Sequence, residues 1–201
     1  MTKLRLPTNE EEIRRLHVGD QVEITGTIVT ARDAAHCYLT ETDAPEVREF
    51  LRDGMIYHCG PVVAREGEPP RGGWRFVAAG PTTSIREEIF EADVIARYGV
   101  RGVIGKGGMG EKTLAACREH GCVYLDAVGG LAVLLAESVK RVRTVFKLEE
   151  FGVPEAMWVI EVEQFPATVT IDTHGNSLQR EIESRSAARV RELYGTASPT
   201  H

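Results

Sequence analysis

The stretch Gly102-Val103-Ile104-Gly105-Lys106-Gly107-Gly108-Met109-Gly110, with Lys112-Thr113-Leu114-Ala115-Ala116-Cys117-Arg118-Glu119-His120-Gly121 behind it, decides the fold. A short apolar strand runs into a glycine turn, and the turn opens a helix that a second glycine ends. Glycines in such a turn leave backbone N–H groups open to an anion, and Lys106 adds a mobile positive charge. The pattern is not a Walker loop, which needs an earlier glycine at fixed spacing and a Ser or Thr directly after the lysine. These residues define a site for a phosphate or a carboxylate and leave the ligand open.

The same plan recurs downstream. Cys122–Asp126 reads as a strand, Ala127-Val128-Gly129-Gly130 as a glycine turn, and Leu131–Lys140 as an apolar helix. Successive strand–glycine turn–helix units collect their turns at one edge of a sheet, where ligands sit, and the fold class is α/β in a single layered domain.

Upstream, residues 8–16 predict a short helix and Gln21–Thr30 alternates polar and β-branched residues as a strand does. That strand delivers Ala31-Arg32-Asp33-Ala34-Ala35-His36 to the start of another helix. Asp33 and His36 share one face there, either as a functional pair or as an N-terminal acid and a solvated histidine. A surface helix follows over 42–52, beginning near Pro45. Met55–Val63 is a strand bent at Gly60-Pro61 that forms a hairpin with Trp74–Gly80 across the loop 66–73. Pro81 ends that strand and places Thr82, Thr83 and Ser84 at a helix start. The three hydroxyls either cap the helix or join Arg86 in a carboxylate receptor. Further on, the sequence predicts an extended segment at Arg141–Phe146, strands at Trp158–Pro166 and Ala167–Asp172, a turn at Thr173–Asn176 and an exposed helix at Glu181–Tyr194.

The 201 residues predict one domain over 1–201, with its core at about 10–180 and residues 181–201 a C-terminal helix and frayed tail. A formal net charge of −6 argues against a nucleic-acid partner. No run approaches the roughly 20 apolar residues of a membrane span, and the first residues lack the apolar core of a signal peptide, so a cytoplasmic location without membrane attachment is expected. Cys37, Cys59, Cys117 and Cys122 are scattered without a Cys-x-x-Cys pair, so no zinc or iron–sulfur site is expected on this chain.

Five motifs, in order, carry a resemblance. They are Ala31–His36, Gly80-Pro81-Thr82-Thr83-Ser84-Ile85-Arg86, Gly105–Gly110, Trp158–Pro166 and Ile171-Asp172-Thr173-His174-Gly175-Asn176. Together they resemble the β subunit of the iron–sulfur hydro-lyases, the family of class I fumarate hydratases and L(+)-tartrate dehydratases. The same unit forms the C-terminal domain of single-chain class I fumarases. The resemblance covers about residues 10–180 and implies a swivelling β/β/α domain. It also implies a partner α subunit that holds a [4Fe–4S] cluster, none being bound by this chain, in a heteromer such as α2β2, with a homodimer when isolated.

The implied reaction is reversible hydration of a dicarboxylate. By matching motifs, Arg32 and Arg86 would grip carboxylates, and Thr83 and Gly107 would line the substrate. Thr82 and Lys106 would be catalytic as well as substrate-binding, with Asp33 and His36 as further candidates. The sequence departs from single-chain fumarases at Ser84-Ile85 and Gly107-Gly108-Met109-Gly110, a form that two-subunit enzymes share. Gly129-Gly130 and Glu155–Glu163 look more like fumarases, so the expected substrate is fumarate, with L(+)-tartrate as the alternative. A reading of another class is a non-catalytic anion-binding or assembly module, since no complete catalytic set lies within the chain.

Overall fold

Alternate residues of the central strands enter two different cores. In β2 (Gln21–Thr30), Ile24 and Ile28 join one core and Val29 the other; in β3 (Met55–Tyr57), Met55 and Tyr57 are separated in the same way from Ile56. β6 (Gly102–Gly105) splits Ile104 from Val103, and β7 (Val123–Asp126) splits Val123 and Leu125 from Tyr124. A strand buried on both faces reads as a short apolar run, and this is why those segments carry so little polarity. The computed structural model describes residues 1–67 and 72–195.

The first core is lined by these strands, by β1 (Thr2–Arg5), α1 (Glu10–Arg14) and α6 (Ala132–Glu137), and by the hairpin of β4 (Val62–Glu66) and β5 (Gly73–Ala78). Its largest member is Trp158, whose ring meets Trp74 edge-on at 5.3 Å and Phe76 at 5.9 Å, seating the hairpin against the sheet. The second core lies under α2 (Asp33–Glu41), α3 (Pro45–Leu51), α4 (Glu91–Tyr98) and α5 (Glu111–His120).

The sheet order is β1-β2-β3-β6-β7-β9-β8, where β8 is Val139–Phe146 and β9 is Met157–Ile171. β1, β2, β3, β6 and β7 pair in parallel, while β9 runs antiparallel to β7, β8 and β2. Thr168 of β9 faces Asp126 of β7 on one edge and Gln21 of β2 on the other. The α/β sheet therefore curls into a small barrel-like ring.

Several boundaries differ from the sequence reading. Thr2–Arg5, assigned there to a stretch ahead of the core, pairs with β2 and buries Leu4. The two strands expected around Phe165-Pro166 are one strand of 15 residues. It absorbs the proline beside a bulge at Gln164, where φ is 52° and the N–H donates to Thr25 Oγ1 at 3.1 Å. The apolar helix predicted to reach Lys140 ends at Glu137, because Val139, Val142 and Val145 pair with β9. The bend at Gly60-Pro61 divides its strand between two sheets. Part of the loop over 66–73 and the tail beyond Gly195 fall outside the described residues. α7 (Leu148–Phe151) and α8 (Leu178–Tyr194) complete the chain, and α8 buries no residue. No described helix is long and apolar enough to cross a membrane.

Candidate active site

Four parallel strands, β2, β3, β6 and β7, end at the same edge, and the sequence-predicted residues gather just past them. Arg32 caps the start of α2 with extended backbone, and its guanidinium lies beside Gly60, where any Cβ would stand 2.5 Å from Nη1. Glu155 holds Arg32 Nε at 3.3 Å and accepts the Ala34 N–H at 3.0 Å. Asp33 is 3.9 Å from Arg32 Nη2 and 2.8 Å from Arg86 Nη2, and that same Arg86 nitrogen donates to Thr82 Oγ1 at 3.3 Å. Arg32, Asp33, Arg86 and Thr82 thus form one chain of contacts at the surface. The Arg86 side chain is 44% exposed, so its pairing with Asp33 is solvent-screened and a ligand carboxylate can compete for it.

Lys106 joins this edge through its backbone. Its carbonyl accepts the Ser84 N–H at 3.0 Å, its own N–H donates to Ser84 Oγ at 3.2 Å, and Thr83 bridges to it in parallel. The side chain passes Gly129 and makes no ion pair among the described residues. Thr83 is exposed, and Gly107 is exposed with φ at +82°, in open space.

The glycine loop corrects the open-cradle reading. Glu88 accepts the N–H groups of Gly110 (2.7 Å), Lys112 (2.8 Å) and Thr113 (3.3 Å) and the Thr113 hydroxyl (2.7 Å). The α5 N-terminus is therefore filled by the protein's own carboxylate. The hydroxyls of Thr82, Thr83 and Ser84 do not cap a helix. The segment they open is a 3-10 turn over Ser84–Ile89, and Thr83 at its cap makes no side-chain bond to the backbone.

Behind the rim lies a buried layer that sequence reasoning missed, apart from His36 and from Ser84, whose hydroxyl is buried here and not part of an exposed carboxylate receptor. That histidine is fully buried, which overturns the solvated alternative. Its Nδ1 sits 3.0 Å from the Arg32 carbonyl and its Nε2 3.1 Å from Glu91 Oε2. His58 reaches the same Glu91 oxygen with Nε2 at 2.9 Å and Ser84 Oγ with Nδ1 at 2.8 Å. Ser84 Oγ also accepts the Tyr124 hydroxyl at 2.9 Å, and the Thr82 N–H donates to the His58 carbonyl at 2.7 Å.

One pattern of protons satisfies these contacts. Both His36 nitrogens face acceptors, so both carry protons. Ser84 receives two donors and gives its own proton to His58 Nδ1, which leaves His58 neutral with its proton on Nε2. The electrostatics agree. Burial alone would lower the His36 pKa, but Glu91, assisted by Glu87 and the Arg32 carbonyl, raises it to about 9. Burial lowers that of His58 despite Glu91. Burial likewise opposes ionisation of Glu91, yet the two imidazoles bring it down to about 2. Glu87, buried with both oxygens lacking a hydrogen-bond partner, is pushed up to about 7 by burial, against the pull of His36.

His36, His58 and Glu91 also lie close enough together to offer three ligand atoms to a metal, and they are the one such group among the described residues. Hydrogen bonding accounts for all four ring nitrogens. The cysteines do not fit an iron–sulfur cluster: Cys59, Cys117 and Cys122 are buried, and no three of the four come together among the described residues. A signal for the buried layer was present in the sequence, since Glu87 and Glu91 are spaced four apart behind the Thr-Thr-Ser motif and His58 follows a strand. Nothing in one sequence shows that they meet.

The chain belongs to the fumarase C-terminus family, whose model matches residues 1–182. A Geobacillus stearothermophilus protein named "Putative fumarate hydratase class I" is 51% identical over 187 residues, which is 93% of this chain and 35% of that protein. The chain thus spans about a third of that relative's length. The Escherichia coli K12 L(+)-tartrate dehydratase subunit beta is 40% identical over 187 residues, covering 92% of this chain and 90% of the relative. A Methanocaldococcus jannaschii protein named "Putative L(+)-tartrate dehydratase subunit beta" is 40% identical over 189 residues, 92% of this chain and 95% of its own length.

Proposed function

We propose that the chain is the β subunit of a hydro-lyase, with fumarate as substrate and L(+)-tartrate as the alternative, and that it supplies the carboxylate-binding wall of a site completed by an α subunit. The observation that carries this reading is the meeting of Arg32, Arg86, Thr82 and Lys106 at one strand edge, three cations and a hydroxyl facing solvent. Local positive charge of this kind lets a net-acidic protein hold a dianion. Identity to a class I fumarate hydratase and to tartrate dehydratase β subunits supports the same reading.

In dehydration of the hydroxy acid, Arg32, Arg86 and Lys106 hold the carboxylates and Thr82 stands nearest the carbon-bound proton. That proton leaves to a base as the C=C bond forms and the hydroxyl departs with its bonding pair; the proton taken by the base and the departing hydroxide together make up the one water lost, and hydration is the reverse. The Arg86 N–H at Thr82 Oγ1 favours the deprotonated hydroxyl and so raises the fraction of Thr82 able to accept a proton. The non-catalytic module reading loses ground because Glu88 fills the anion cradle on which it depended.

In this reading the [4Fe–4S] cluster belongs to the α subunit, the assembly is a cytoplasmic heteromer such as α2β2, and residues 1–201 act as one swivelling β/β/α domain. The test is an anaerobic assay of fumarate and L(+)-tartrate, side by side, with the isolated chain and with the chain reconstituted with its α subunit. The proposal expects turnover by the complex alone and faster turnover of fumarate. Turnover by the isolated, metal-free chain refutes it.

A further inference from the structure

The buried layer touches every rim segment through its backbone. His36 holds the Arg32 carbonyl, the His58 carbonyl holds the Thr82 N–H, and Ser84 Oγ holds the Lys106 N–H. The three lines converge on one atom, Glu91 Oε2, which accepts both imidazole Nε2–H groups. Gly105 shows how closely the network is fitted, since a Cβ there would stand 1.8 Å from Ser84 Oγ, 3.0 Å from the Tyr124 hydroxyl and 3.2 Å from His58 Nδ1.

We infer that Glu91 is a positioning residue, locking the backbone of Arg32 to those of Thr82 and Lys106 through His36, His58 and Ser84 and so fixing the spacing of the groups that grip the substrate. This rests on the proposed carboxylate-binding role and extends it to a side chain that touches no ligand. A carboxylate is required because both partners present donors. A glutamine oxygen accepts less strongly and carries no charge to hold the His36 imidazolium. The other groups facing His36 are Glu87, 3.8 Å from Nδ1, the Arg32 carbonyl, also at Nδ1, and the His58 ring, 5.0 Å away between centroids, and none of them supplies a second acceptor within hydrogen-bond distance of Nε2.

The inference has a readout independent of catalysis. Long-range ¹⁵N–¹H NMR of the full chain near pH 7.5 will show one imidazole with both nitrogens protonated and one neutral ring with its proton on Nε2. Two neutral rings, or ring nitrogens without protons accompanied by stoichiometric bound metal, overturn it. In the reconstituted enzyme, Glu91→Gln raises KM about tenfold and lowers kcat by a similar factor, because Arg32 and Lys106 hold substrate and transition state alike while Thr82 acts at the proton transfer. KM and kcat both within twofold of wild type, with Arg86→Ala impaired, overturn the positioning role alone. Wild-type values for Arg86→Ala overturn the site reading beneath it.

Discussion

The rim and the layer behind it hold similar chemistry in opposite settings. At the rim, Arg86 and Asp33 pair at 2.8 Å with nearly half of each side chain in water. Behind it, His36 and Glu91 pair at 3.1 Å with neither exposed. The exposed pair contributes little to folding and is cheaply exchanged for a ligand. The buried pair cannot be exchanged, and removing one partner leaves a charge without solvation. In the proposed reading the site separates its tasks, with binding in side chains that water can reach and geometry in side chains that it cannot.

The sharpest way to break this contrast is Gly105→Ala. The added methyl has no room beside Ser84, so the variant is expected to lose more than about 3 kcal/mol of stability, or to fail to fold. Chemical denaturation will report it, and a wild-type midpoint means that the buried layer is not tightly fitted. Next come the rim substitutions. Lys106→Ala is expected to lower kcat/KM by roughly 100-fold, from the loss of a charge-assisted contact, while stability stays within about 0.5 kcal/mol.

Glu87→Gln tests the buried side by pH. The Glu87 carboxyl titrates at about 7 when folded, against the ordinary 4.5, so its contribution to stability is present below 4.5 and fades as pH rises through 7. The variant should match wild type near pH 4.5 and be more stable at pH 8, by on the order of 2 kcal/mol. A melting series across pH 4.5 to 8 gives the sign, and equal stability at both ends disproves the buried-charge account. The same logic predicts that His36, titrating at about 9, supports the fold fully below 6.5 and progressively less above. The smallest effect belongs to Glu88→Ala. It strips the cap from α5 and should cost about 1 kcal/mol, visible as a small drop in Tm.

The rim was legible in the sequence because its residues sit at strand-to-helix junctions, which glycine, proline and hydroxyl residues mark. Arg32, Thr82, Arg86 and Lys106 are each named by the motif that carries them. The α/β class followed from strand–turn–helix repeats, but ring closure did not, since it depends on β9 pairing with β2 and β7 at opposite edges. No local pattern records such a pairing. The buried layer was hidden for a related reason. Glu91 meets His36 across 55 positions and His58 across 33, and a buried histidine looks like a solvated one until its neighbours are in place. Glu88 stayed hidden likewise, and with it the reason the N-terminus of α5 is closed to an anion.

The central claim is that the exposed edge binds a dicarboxylate, and its most direct measurement is kcat/KM for fumarate of Arg86→Ala in the anaerobically reconstituted enzyme. The account predicts a fall of about 100-fold or more. A value within twofold of wild type contradicts it.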